Sequence, residues 1–89
     1  MGSRYTWDEA KRRSKLAKHG LDFANADMVL ASRYRLDIPV VRANEERIQS
    51  FSYVLNRLAV LTVVHLDRDS TTRIISFRYA SEKESEAYY

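Results

Sequence analysis

Helical spacing of apolar residues gives way along the chain to strand-like spacing, and the order of these stretches predicts the fold. Trp7, Ala10, Ser14 and Ala17 share a helical face, and Thr6-Trp7-Asp8-Glu9 reads as a capping box in which Thr6 caps a backbone N–H and Glu9 reaches back. Lys11, Arg12, Arg13, Lys15 and Lys18 follow this acidic first turn, an order that complements the helix dipole. Gly20 suits a left-handed terminal cap, so the spacing predicts a helix over about 7–19. Asp22 is placed to cap a second, short helix over about 23–31, with Phe23, Ala26, Met28, Val29 and Leu30 as its apolar positions. From Ser32 to Asn44 no periodicity holds, and Pro39 argues against a central strand, so this segment reads as a loop with at most a short extended piece.

Three strands are predicted next, over about 46–54, 58–66 and 72–79. Asn56-Arg57 and Asp67-Arg68-Asp69-Ser70 are compact polar breaks of the kind that turn a hairpin, which makes the three an antiparallel meander. Leu58 to Leu66 is almost wholly apolar and reads as the central strand, buried on both faces. Ser81-Glu82-Lys83-Glu84 forms a second capping box and opens a last helix ending in Tyr88 and Tyr89. The expected architecture is a single α+β domain over 5–89: two N-terminal helices packed on an antiparallel sheet of three or more strands, with a short C-terminal helix. Residues 1–4 are expected to be a tail, in which Met1-Gly2-Ser3 can be an expression scar.

Composition narrows the chemistry. A chain of 89 residues has room for one modest core and no separate cofactor domain. The absence of cysteine excludes disulfides, thiolate metal sites and a thiol nucleophile. With two separated histidines and no carboxylates at ligand spacing, neither a metal nor a cofactor is expected. No apolar run approaches the ~18–20 residues that span a bilayer, and the N-terminus lacks a signal-peptide pattern, so no membrane association and a cytoplasmic location are expected. The net charge is +3, and eleven of the 15 basic residues are arginine. Arginine forks onto phosphate in a way that lysine does not, which suits a nucleic-acid partner; a solvated basic surface is the plain alternative.

The titratable residues of the predicted sheet are the candidates for a site. Strict alternation puts Arg73, Ile75, Phe77 and Tyr79 on one side of the third strand and Ile74, Ser76 and Arg78 on the other. Arg73 is either a solvated strand end or a partner contact, and Arg78 shares a polar stripe with Ser76. His65, late on the central strand, is either a satisfied core residue or a proton carrier. His19 is either a helix-end residue or a cation on the helix dipole. Glu45-Glu46-Arg47 opens the first strand as local ion pairs or as a carboxylate near arginines, able to move a proton. Tyr88 and Tyr89 are either frayed ends or surfaces for base stacking.

Two stretches resemble the BrnT family of toxins. One is Tyr5-Thr-Trp-Asp-Glu-Ala-Lys11, continuing through Lys18-His19-Gly20-Leu21-Asp22-Phe23; the other is Arg73-Ile74-Ile75-Ser76-Phe77-Arg78-Tyr79-Ala80, followed by an acidic helix ending in tyrosine. Glu45-Glu46-Arg47 is similar to the family's opening of the first strand. The chain departs from the family pattern at Lys15, at Ser50-Phe51, at Asn56 and at Leu66-Asp67, while Arg68 is retained. The resemblance implies a RelE-like fold, cleavage of RNA without a cofactor, and a toxin–antitoxin hetero-oligomer with a DNA-binding antitoxin of the BrnA type. RNA supplies its own nucleophile, the 2′-OH, so the protein need only align it, neutralise the phosphate and move protons. On that reading Arg68 and Arg78 are the phosphate or transition-state ligands, Glu46 and His65 the proton carriers, and Lys18, His19, Arg47 and Arg73 the RNA contacts. The alternative is a non-catalytic basic module that docks nucleic acid or an acidic protein without turnover.

Overall fold

The computed structural model describes residues 4–89. In chain order the elements are β1 (Arg4–Trp7), α1 (Glu9–His19), α2 (Asp27–Leu30), β2 (Leu36–Arg42), β3 (Glu45–Val54), β4 (Ala59–Arg68), β5 (Thr71–Tyr79) and α3 (Glu82–Tyr88), with 3-10 turns at Phe23–Asn25 and Leu55–Arg57. The five strands form one sheet in the order β1-β5-β4-β3-β2. The meander β3-β4-β5 is antiparallel as expected, and β2 adds to it antiparallel, but β1 runs parallel to β5. The fold is α+β, and its sheet is mixed rather than purely antiparallel.

Local chemistry accounts for both additions. Asp8, not Thr6, is the N-cap of α1 and accepts the Lys11 N–H at 3.1 Å, which frees Arg4–Trp7 to pair with Thr71–Ile74. The tail expected over residues 1–4 lies outside the described residues at 1–3, and Arg4 already belongs to β1. Pro39 sits in β2, which is an edge strand, so its missing N–H costs no ladder bond toward a second neighbour. The β2–β3 turn is made by Ala43 and Asn44, both at positive φ (51° and 63°), a two-residue hairpin without the Asn-Gly signature that would have announced it.

The core lies on one face of the sheet. Leu21, Phe23, Ala26 and Val29 pack against Val54, Leu61, Val63, Ile74 and Phe77, with Tyr5 and Trp7 partly buried against them. Asp22 caps the 3-10 turn as expected, accepting from the Ala24 N–H, but the helix expected over 23–31 is broken into that turn and one turn of α2. Helix α1 buries no residue, so of the two N-terminal helical segments only the Phe23–Leu30 stretch covers the sheet. Gly20 takes the left-handed conformation (φ 71°) that ends α1. Helix α3 lies on the opposite face: Ser81 and Glu84 close the expected capping box, the Tyr88 hydroxyl donates to the Tyr34 carbonyl, and Glu84 reaches side chains of β3 and β5. Among the described residues no helix is long and apolar enough to cross a membrane.

Candidate functional site

A bulge in β5 decides what the open face of the sheet displays. The register runs Val64↔Ser76 and His65↔Ile74, leaving Ile75 without a partner. Strict alternation would place Arg73 and Arg78 on opposite sides. The extra residue resets the phase, so Arg73, Ser76 and Arg78 all stand on the face away from the core, opposite Leu66, Val64 and Thr62. Arg47 and Gln49 of β3 share that face, since Ile48, Ser50 and Val54 point to the core side.

These side chains line a groove. Its deepest part, about 290 Å³, is bordered by Arg42, Arg47, Gln49, Ser76, Arg78 and Glu84. It continues through Arg47 and Ile75 into a hollow beside Lys11 and Arg73, and then through Leu66 and Arg73 to Arg68. Six cations thus follow one path, against the carboxylates of Asp8, Glu45, Asp69 and Glu84. Arg47 is tied to Glu45 at 2.9 Å, whereas Arg42, Arg68 and Arg73 have no ion-pair partner among the described residues. Their guanidinium donors are open to an anion.

Arg78 and Glu84 form a bidentate pair in the groove. Nη1 and Nη2 of Arg78 donate to Oε1 and Oε2 of Glu84 at 2.8 and 3.1 Å, a bidentate fork. The same carboxylate accepts the Ser81 N–H at 2.8 Å and the Gln49 amide at 3.3 Å. Arg78 above all, helped by the Ser81 and Gln49 donors and opposed by partial burial, holds the Glu84 carboxyl down at about 2. The partner effect is a raised pKa for the Arg78 guanidinium. A groove that presents free arginine forks beside a fixed carboxylate has the parts needed to hold a phosphodiester and move a proton.

The family described as "Ribonuclease toxin, BrnT, of type II toxin-antitoxin system" matches residues 7–84. The chain belongs to the BrnT family. No individually curated protein matches it.

The site residues expected from the sequence separate into two groups in this BrnT chain. Arg47, Arg68, Arg73 and Arg78 come together along the groove. The other four do not join them. Glu46 is exposed and alternates with Glu45 and Arg47, so it points to the opposite face. Lys18 and His19 are exposed at the far end of α1 and line no part of the groove. His65 faces the core side and is 1% exposed. Sequence reasoning missed Arg42, which lies in the strand taken for a loop, and Lys11. It also missed Glu84, whose capping-box position gave it a purely structural explanation.

His65 instead belongs to a polar chain whose middle is buried and whose carboxylate ends, Asp37 and Asp67, reach the surface. Its Nδ1 meets Asp67 Oδ1 at 2.7 Å, its Nε2 meets Ser50 Oγ at 2.8 Å, and Ser50 donates to Asp37 Oδ1 at 2.6 Å. Ser50, His65 and Asp67 thus have the connectivity of a serine-hydrolase triad. The hydroxyl, however, is wholly buried and donates its proton to Asp37 Oδ1. A nucleophilic serine needs the reverse: an exposed oxygen whose proton goes to the imidazole. Burial pushes the Asp37 carboxyl up, but Arg35, the Ser50 hydroxyl and His65 together bring it below its ordinary value. The arrangement is a structural brace between β2, β3 and β4.

Among the described residues no group of three or more His, Cys, Asp or Glu side chains is placed to hold a metal ion.

Proposed function

We propose that this chain is the toxin of a type II pair and cleaves RNA without a metal, using the substrate's own 2′-OH as nucleophile. The observation that carries this reading is the arginine groove on the open sheet face of a BrnT-family chain. Arginines along its length seat the backbone phosphates, and their forks stabilise the pentavalent phosphorane in place of a cation. Arg78 and Arg47, half-buried in the deepest part, are the transition-state ligands; Arg42, Arg68 and Arg73 position the flanking phosphates. The toxin acts on RNA in the cytoplasm, stopping translation and growth. A DNA-binding antitoxin of the BrnA type neutralises it with an acidic or amphipathic segment that covers the groove.

Expression of the chain alone in a bacterium tests this directly. Growth arrest with loss of intact mRNA, relieved by co-expressing the neighbouring antitoxin, and cleavage of purified RNA in excess EDTA are the expected results. Cleavage abolished by chelator and restored by Mg²⁺ contradicts the proposed chemistry. A second reading, a binding module without turnover, is favoured by one observation: the fork of Arg78 is filled by Glu84. It predicts RNA that is bound and recovered intact.

A further inference from the structure

We propose that Glu84 is the proton acceptor of the cleavage step, and that Arg78 keeps it masked until a substrate phosphate takes the carboxylate's place on the guanidinium. The inference rests on the ribonuclease reading and names the base that reading lacks, since Glu46 and His65 are not in the groove.

The geometry supports an exchange of partners. Both Glu84 oxygens are engaged by Arg78, at 2.8 and 3.1 Å, so a phosphate can gain the full fork only by displacing them. Displacement does not free the carboxylate to swing away. Its Oε1 still accepts from the Ser81 backbone and its Oε2 from Gln49, and it occupies the N3 position of α3. It therefore stays on the groove wall beside the phosphate that replaced it. The charged groups facing it are Arg78 from β5, Arg47 from β3 and Arg42 from β2, and it is the one carboxylate among the residues bordering this deepest part. Glu45, further along, is tied to Arg47 by a single bond and is 42% exposed, without comparable fixing.

The exchange also changes reactivity. With the pair closed, Arg78 holds the Glu84 carboxyl near 2, and so acidic a group is a poor proton acceptor. With the guanidinium engaged by phosphate, the carboxyl returns toward the ordinary 4.5 and becomes a better base at the moment substrate is bound. In the reaction Glu84 takes the proton as the O2′–H bond breaks, the 2′-oxygen bonds to phosphorus, and the P–O5′ bond breaks. The departing 5′-oxygen is protonated from solvent water, and Glu84 later returns its proton to solvent. The products are a 2′,3′-cyclic phosphate and a 5′-OH, with no oxidant or cofactor required.

Glu84→Gln tests this, because glutamine also closes a capping box and preserves α3. Two quantities are measured on the full chain in EDTA: single-turnover cleavage of an RNA oligonucleotide from pH 4 to 8, and binding of the same oligonucleotide made wholly 2′-deoxy. The expected results are a fall in cleavage of roughly 10² or more, loss of the acid limb of the wild-type pH profile, and severalfold tighter binding of the deoxy probe, since its phosphates no longer compete with a carboxylate for Arg78. Wild-type cleavage by the variant overturns the inference and leaves the ribonuclease reading intact. A parallel loss of cleavage and binding overturns it too, since that marks a structural role. RNA left intact by the wild-type chain itself overturns the ribonuclease reading, and the inference with it.

Discussion

On the core side of the sheet Ser50, His65 and Asp67 are joined by bonds of 2.7–2.8 Å; on the open side Arg78, Glu84 and Gln49 are joined by bonds of 2.8–3.3 Å. Connectivity favours the first as a catalytic group and accessibility favours the second. His65 and Ser50 are at most 1% exposed and every buried polar side-chain atom among the described residues has a partner, so neither has capacity left for a substrate; Asp67, 47% exposed, closes the outer end of the chain. Arg78 is 43% exposed, and the arginines beyond it have unused donors. Hydrogen-bond geometry alone does not distinguish a brace from a site; unfilled bonding capacity that faces solvent does.

The comparison can be broken most sharply by changing the substrate. If the nucleophile belongs to RNA, a single 2′-deoxy or 2′-O-methyl group at the scissile position reduces cleavage to background, as read on a sequencing gel. If Ser50 were the nucleophile, that substrate would still be cut and would leave a phosphoserine visible by mass spectrometry. Next in size is His65→Ala. Losing the bonds to Ser50 and Asp67 and opening a cavity costs about 2–3 kcal/mol, a drop in Tm of roughly 10–20 °C for a domain this small. Cleavage per folded molecule stays unchanged. Ser50→Ala also removes two bonds but opens far less space, so the melt shifts by about 1–2 kcal/mol, again without loss of rate.

The smallest effect is a pH dependence. Glu84 has a folded pKa of about 2 against an ordinary 4.5, so it contributes stability that is fully present above about 4.5 and is lost as pH falls toward 2. The pair is partly open to solvent, which limits the contribution to about 1 kcal/mol or less. Asp37, also lowered, adds acid sensitivity of the same sign on the other face. Acid unfolding followed by circular dichroism should therefore show a shallower acid limb in Glu84→Gln than in the wild type.

What was legible in the sequence follows from how far along the chain each interaction reaches. The β3-β4-β5 meander, the Gly20 cap and the Ser81–Glu84 capping box depend on neighbours within a few residues, and the structure has them where the pattern placed them. Strand β1 was hidden because its partner lies about seventy residues away and because Thr6 and Asp8 compete as caps. Strand β2 was hidden by Pro39, whose meaning depends on whether the strand is an edge. The bulge at Ile75 leaves no mark in a two-residue period, yet it brings Arg73 and Arg78 onto one face. Arg47, Arg68, Arg73 and Arg78 could be nominated from residue type, and the structure lines one groove with them. Glu84, the base proposed above, could not be nominated, because it meets Arg78 only when α3 folds back over the sheet.

The central claim is that the open arginine face, and not the buried serine–histidine–aspartate chain, carries the chemistry. The most direct test is the single-turnover rate of RNA cleavage in EDTA by Arg78→Ala, set beside its thermal melt. Loss of a transition-state donor predicts a rate lower by roughly 10²–10³, with a melt displaced by no more than the ~1 kcal/mol of a pair partly open to solvent. Arg78→Lys, which keeps the charge and loses the fork, falls between the two. A well-folded Arg78→Ala protein that cleaves RNA at the wild-type rate would contradict the account.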